Sequence, residues 1–153
     1  NLLDNFLIKK LDNLIKKEIK IKVIGNKKKF SKKLQKTLSD SENKTYKNDK
    51  LQINLALNYG SKEELLNAIR IINNNKKKIN ETNISNNLYT KGVPNPDLMI
   101  RTGNTNRLSN FLLWQSAYTE IFFEKKMWPD FNKNDYKKVL KRFRLLKRNF
   151  GAI

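Results

Sequence analysis

The chain has 153 residues, enough for one compact domain with a real core, although only 38% of them are hydrophobic. Lys and Arg number 33 against 14 Asp and Glu, a formal charge of +19, and there is neither cysteine nor histidine. Disulfides, thiol chemistry, Cys/His zinc sites and histidine acid/base catalysis are therefore excluded, and a reducing cytoplasm is the natural compartment. The charge would attract any polyanion. Yet it is spread through runs such as Lys27–Lys29 and Lys76–Lys78, beside asparagines such as Asn73–Asn75, so a compositional bias towards Lys and Asn is the favoured account of it.

In chain order, Leu3, Phe6, Leu7, Leu11, Leu14 and Ile15 recur at three- and four-residue steps and predict an amphipathic helix from Leu2 to Ile19. The chain opens inside this helix, on Asn1, which suggests a sequence that starts partway through a longer one. Ile19, Ile21 and Val23 alternate with lysines up to Gly25, a strand pattern. Ser31 offers an N-cap to a helix carrying Leu34 and Leu38. Alternation from Leu51 to Gly60 predicts the clearest strand, followed at once by a capping box, Ser61 and Glu64, and a helix with Leu65, Ile69 and Ile72.

The polar stretch from Asn73 to Asn87 holds one helical turn at most, and Gly92, Pro94 and Pro96 mark a loop. Leu98-Met99-Ile100 reads as a strand and Asn104-Thr105 as a turn. Ser109 is expected to cap a helix through Leu112 and Leu113, Glu120–Phe123 to form a buried strand, and a last helix to run from Asn134 to Phe150 with Tyr136, Val139, Leu140, Phe143, Leu146 and Phe150 on one face. No apolar run reaches the roughly 18 residues that cross a bilayer.

Strands alternating with helices predict one α/β domain over residues 1–153, a parallel sheet with helices on both faces. In such sheets ligands bind beyond the carboxyl ends of the strands. Arg101 would project from one such end, and Arg107 and Ser109 would flank the start of the next helix, whose free N–H groups attract anions. Guanidinium forks grip phosphate oxygens in bidentate fashion, and Ser109 with the N–H groups near Leu108 would add neutral donors, so the pattern suits a diphosphate. It is equally consistent with a plain helix cap and arginines paired to surface carboxylates. Glu120 is either a solvated strand start or an oxygen ligand for Mg²⁺, which prefers one or two carboxylates plus substrate phosphates. Trp114, Tyr118, Phe122, Phe123 and Trp128 could line an apolar tunnel or fill a core; Asp97 and Asp130, each beside a proline, read as turn residues.

Two blocks carry more than their spacing: "LQINLALNYGSKEEL" from Leu51 to Leu65, and "LYTKGVPNPDLMIRTGNTNRLSNFLLWQSAYTEIFFEKKMWPDF" from Leu88 to Phe131. With "IKIKVIGN" and the terminal "RNFG", they resemble the cis-prenyltransferases of the undecaprenyl diphosphate synthase type over nearly the whole chain. The resemblance implies Mg²⁺-dependent condensation of isopentenyl diphosphate with an allylic, farnesyl-type diphosphate, in a homodimer with an apolar tunnel, to make polyprenyl (undecaprenyl) diphosphate for cell-wall carrier lipid. It implies that Arg101, Arg107, Leu108 and Ser109 hold isopentenyl diphosphate and that Glu120 is associated with Mg²⁺. It further implies a cytoplasmic enzyme, or one peripheral at the membrane with which its product associates, and no specific nucleic acid. The family's M-D-G-N-G-R-W and F-S-x-E-N-W motifs are not found in residues 1–153, so no catalytic aspartate is assigned, and the expectation is a C-terminal part that is inactive alone, its sheet incomplete for want of the N-terminal strands. Asn104 and Thr105 stand where the family has glycine and glutamate, and Asn149 where it has an arginine. The rival expectations are a non-catalytic partner subunit of a prenyltransferase and a basic nucleic-acid-binding protein, whose affinity would fall steeply with salt.

Overall fold

The computed structural model describes residues 2–149 and 151; the terminal Phe150 assigned above to the last helix, and the side chains of Leu3 and Phe6, lie outside the described set. The elements run α1 (Leu2–Lys16), β1 (Ile19–Ile24), α2 (Lys32–Thr45), β2 (Leu51–Ala56), α3 (Ser61–Asn74), α4 (Glu81–Ser85), β3 (Leu98–Arg101), β4 (Glu120–Phe123) and α5 (Lys133–Arg144), with 3-10 turns at Lys27–Lys29 and Trp128–Asp130. Both strand pairs are parallel, so the fold is α/β. The chain divides into two compact units, residues 1–91 and 92–153.

In the first unit, β1 and β2 pair in register from Ile19↔Leu51 to Ile24↔Ala56. Leu7, Ile21, Val23, Leu34 and Leu38 form the core, with Leu14, Phe30, Ile53, Leu55 and Leu57 packed round it. Burying each such side chain is worth about 1.5–3 kcal/mol, which is what holds two short strands between helices. The expected α1 face is buried at Leu7 and Leu11, but Ile15 is exposed because the helix ends at Lys16 and the chain turns through Glu18, at φ 54°. Ser31 caps α2, accepting from Leu34 N. Thr45, fully buried at the end of α2, accepts from Ile21 N at 3.0 Å and so ties that helix to β1.

Two expectations fail here. β2 stops at Ala56 and not at Gly60, because Asn58 turns left-handed, at φ 47°. The capping box of Ser61 and Glu64 is not formed: Gly60 is the N-cap of α3 and makes no side-chain cap. Glu64 points inwards, 1% exposed, and accepts from Tyr59 Oη at 2.5 Å and from Tyr89 N at 2.7 Å. That exchange joins α3 to the segment after α4, which is the single capped turn expected in the polar stretch.

In the second unit, β3 and β4 pair from Leu98↔Glu120 to Arg101↔Phe123. Phe122 and Val139 are buried, and the Arg142 guanidinium lies over the Phe122 ring, 4.7 Å from its centre, while bonding Glu124 at 2.8 Å. α5 begins at a true capping box, Asn132 with Asp135, and ends at Arg144, six residues short of the expected Phe150; Leu145 and Leu146 are exposed. The helix expected from Ser109 does not form. Ser109, Asn110 and Leu112 all have left-handed backbones, at φ 49°, 61° and 46°, and residues 109–118 run as successive turns. A right-handed helix cannot pass through such residues.

Candidate functional site: an arginine-walled cavity at the end of β3

β3 ends on Arg101, and the chain turns away through Gly103 and Asn104, both left-handed at φ 94° and 52°. Glycine takes that conformation freely, and asparagine tolerates it better than most residues, so Asn104 serves where the resembled family has glycine. Three backbone bonds then fasten the turn to the strand beside it: Glu124 N to Arg101 O at 2.7 Å, Asn104 N to Glu124 O at 3.2 Å, and Gly103 N to Lys126 O at 2.8 Å. Thr105 folds inwards, its hydroxyl donating to Gly103 O at 3.1 Å. The result is a loop anchored at both ends of its tightest bend.

Beyond it lies a cavity of about 280 Å³, lined by Met99, Ile100, Arg101, Thr102, Arg107, Leu108 and Phe111. Arg101 is half-buried, and its Nε, wholly shielded from solvent, has no hydrogen-bond partner. A buried guanidinium N–H without an acceptor is costly, and an anion in the cavity would relieve it. Arg107 is exposed at the mouth. Apart from Thr102 the remaining wall is apolar, so the space suits a ligand with a charged head and a hydrocarbon body.

Of the residues expected from the sequence, Arg101, Arg107 and Leu108 are brought together here. Ser109 follows directly but is exposed and does not line the cavity; with no helix after it, the free N–H groups of a helix N-terminus are not available to an anion. Glu120 stands elsewhere. It starts β4 opposite Leu98, whereas Arg101 pairs with Phe123, so the two are three residues, about 10 Å of strand, apart. Its partner is Arg148, Nε to Oε1 at 3.9 Å; Arg148 also bonds Asp97 Oδ1 at 2.6 Å and Tyr118 O at 3.2 Å. Asp97 is thus more than the turn residue expected of it. Thr102, Met99, Ile100 and Phe111 were not foreseen as lining. Their signal was position alone, flanking Arg101 in the strand or two residues after the second block's R-x-S.

Mg²⁺ chemistry rests on few groups. No cluster of three or more His, Cys, Asp or Glu that could hold a metal occurs among the described residues. Glu120, about a third exposed, offers one hard carboxylate, and such a site fits Mg²⁺ when substrate phosphates complete the coordination. Of the five aromatics expected to line a tunnel or fill a core, Phe122 alone is buried; Tyr118, Phe123 and Trp128 are exposed. Among the described residues no helix is long and apolar enough to cross a membrane.

Parallel strands with two arginines walling a half-apolar cavity at a strand's carboxyl end place this chain in the α/β class, with positive charge at the end of the sheet where that class receives ligands. Comparison with known proteins narrows the class. The prenyltransferase family model described as "Putative undecaprenyl diphosphate synthase" matches residues 1–151, and the chain belongs to that family. An isoprenyl transferase of Rickettsia bellii is 46% identical over 151 residues, which are 98% of this chain and 67% of that one. Another, from Clostridium tetani, is 39% identical over 159 residues, covering 99% of this chain and 62% of its own length. Among solved structures, a probable undecaprenyl diphosphate synthase from Campylobacter jejuni superposes with a TM-score of 0.88 at 37% identity, over 99% of this chain and 72% of that one. Lavandulyl diphosphate synthase from Lavandula x intermedia, in complex with dimethylallyl diphosphate, gives 0.90 at 31% identity, over 97% and 68%. The chain thus spans about two thirds of the length of these relatives, and it is a transferase by family.

Proposed function

We propose that this chain carries the isopentenyl diphosphate half-site of a cis-prenyltransferase that elongates polyprenyl diphosphate towards the undecaprenyl product. The observation that carries the reading is the buried, unpartnered Nε of Arg101, set in one cavity with Arg107 and an apolar wall. Arg101 and Arg107 hold the diphosphate, Leu108 lines the cavity beside them, Met99, Ile100 and Phe111 face the hydrocarbon, and Ser109, which does not line the cavity, adds its hydroxyl only by turning inwards when the ligand binds. Diphosphate departure in condensation asks for charge neutralisation more than for a base, which suits a chain without histidine. Mg²⁺, bound by Glu120 and substrate phosphates, would supply further positive charge. An allylic, farnesyl-type diphosphate is the second substrate.

In this reading the whole protein works in the cytoplasm or at the membrane surface, as a homodimer, with residues 1–153 forming part of one α/β domain. Exposed Leu113, Met127 and Trp128 supply apolar surface for a second copy to cover. No M-D-G-N-G-R-W motif occurs in residues 1–153, so binding is the informative readout for this chain. Calorimetric titration with isopentenyl diphosphate and Mg²⁺ should show saturable binding. Arg101→Ala should weaken it by about 10- to 100-fold, the worth of one charge-assisted bond or bidentate pair. Equal affinity of the parent and Arg101→Ala chains would refute the assignment.

A further inference from the structure

A second cavity, of about 450 Å³, opens in the first unit where β1 and β2 end, between residues 25–28, α3 and Tyr89. Its floor is fixed. Asn26 N donates to Asn58 O and Asn58 Nδ2 returns a bond to Asn26 O, each at 3.1 Å, and Lys28 N donates to Asn26 Oδ1 at 3.2 Å. Gly25 lies so close to β2 that a Cβ there would stand 2.2 Å from Leu57 O. The loop is therefore seated directly on the carboxyl end of the neighbouring strand, the position at which parallel sheets receive ligands.

The charges round this floor are unequally committed. Lys27 is bound to Glu42 at 2.8 Å, and Glu63 accepts from Asn26 Nδ2 at 3.1 Å. Lys28 and Arg70, which line the same cavity, have no anionic partner among the described residues. Tyr89 adds a phenol whose pKa is pushed up by burial and then by Glu63 and Glu64, so it remains a neutral donor. Surface lysines elsewhere are balanced differently: the cleft holding Lys33, Lys36 and Lys44 also contains Asp12 and Asp40.

We infer that this cavity binds the phosphate or diphosphate group of an ester, gripped by Lys28 and Arg70 over the Asn26 floor. It is built from other residues than the cavity at Arg101 and does not depend on that assignment. A guanidinium and an ammonium converging on one anion provide charge-assisted bonds from two sides. The Glu63 carboxylate, held by Asn26, bounds the site and disfavours polyanions larger than the cation pair can neutralise.

The test uses the full chain carrying Arg101→Ala and Arg107→Ala, which silences the other cavity, titrated with inorganic pyrophosphate at about 0.15 M salt, where diffuse surface charge is screened beyond roughly 8 Å. Saturable binding is expected, with amide shifts at Gly25, Asn26 and Asn67. Adding Lys28→Gln with Arg70→Gln should weaken it at least about tenfold, while Lys36→Gln with Lys44→Gln, a control of equal charge loss, should leave it within about twofold. Circular dichroism of each variant confirms that the fold is kept. Non-saturating shifts, or equal weakening by the two pairs, would overturn the proposal by reducing the effect to net charge. A parallel arm uses phosphatidylcholine vesicles with and without phosphatidylglycerol. Sedimentation with the anionic vesicles that depends on Lys28 and Arg70 assigns the phosphate to a lipid headgroup, and pyrophosphate binding without it assigns a soluble ester; both support the site.

Discussion

Glu64 is the most informative residue to remove. Its carboxylate is 1% exposed and receives the Tyr59 hydroxyl at 2.5 Å and the Tyr89 amide at 2.7 Å. Hydrogen bonds to a charged group contribute about 1.5–3 kcal/mol each, and a buried donor left unmatched costs a further share of its desolvation. Glu64→Ala would orphan both donors and open a void, so a loss of about 3–5 kcal/mol is expected. Glu64→Gln keeps an acceptor for Tyr89 and a similar volume while removing the charge, so about 1–2 kcal/mol is expected. Against a domain stability of about 5–15 kcal/mol, the first change would approach unfolding and the second would not. Urea unfolding followed by circular dichroism measures both through the midpoint, with the slope m checking that the transition stays two-state. A Glu64→Ala chain within about 0.5 kcal/mol of the parent would refute the reasoning, since it would mean that Tyr59 and Tyr89 find other acceptors at no cost.

Three further outcomes follow from local geometry. Gly25→Ala should lower stability by more than about 2 kcal/mol, because a Cβ would meet Leu57 O at 2.2 Å and φ is +108°; Gly92→Ala, at φ +75° with open space around it, should cost only the backbone strain of about 1 kcal/mol, as thermal melts can compare. Val139→Ala, at 1% exposure on α5, should cost about 2 kcal/mol, read by chemical denaturation. Asp135 is held below its ordinary 3.8, first by the Lys126 hydrogen bond and then by Asn132 N–H. Its contribution is therefore present at neutral pH and is lost as pH falls below about 4; the acid limb of the stability curve should flatten in Asp135→Asn, and NMR titration of the carboxyl carbon should show the depressed midpoint.

What could be read in advance divides along physical lines. All four strands were visible, since alternation and β-branched residues at Ile19–Val23 and Leu51–Leu55 report local backbone preference. Ser31 was visible as a cap for the same reason: its partner, Leu34 N, is three residues away. Glu64 was misread because its partner Tyr89 is 25 residues away, and a capping box is only the best local alternative. The helix after Ser109 was misread because left-handed residues at Ser109 and Leu112 leave no trace in side-chain pattern. At the site, Arg101 and Arg107 were legible through their spacing and through family resemblance, and both line one cavity. The distance of Glu120 from Arg101 along the sheet was not legible, because it is set by the β3–β4 register, which no motif encodes.

The three left-handed residues Ser109, Asn110 and Leu112 carry a cost of their own. Each non-glycine residue in that conformation forgoes about 1 kcal/mol, so this bend alone forgoes about 3 kcal/mol, a fifth or more of what a small domain has to spare. Glycine at these places would recover part of that energy, yet it would free the backbone that aims Phe111 at the cavity. Selection for thermal robustness and selection for a shaped wall therefore pull in opposite directions at one stretch of four residues. A lineage drifting towards higher temperature would be expected to seek its gains elsewhere and to leave this bend alone.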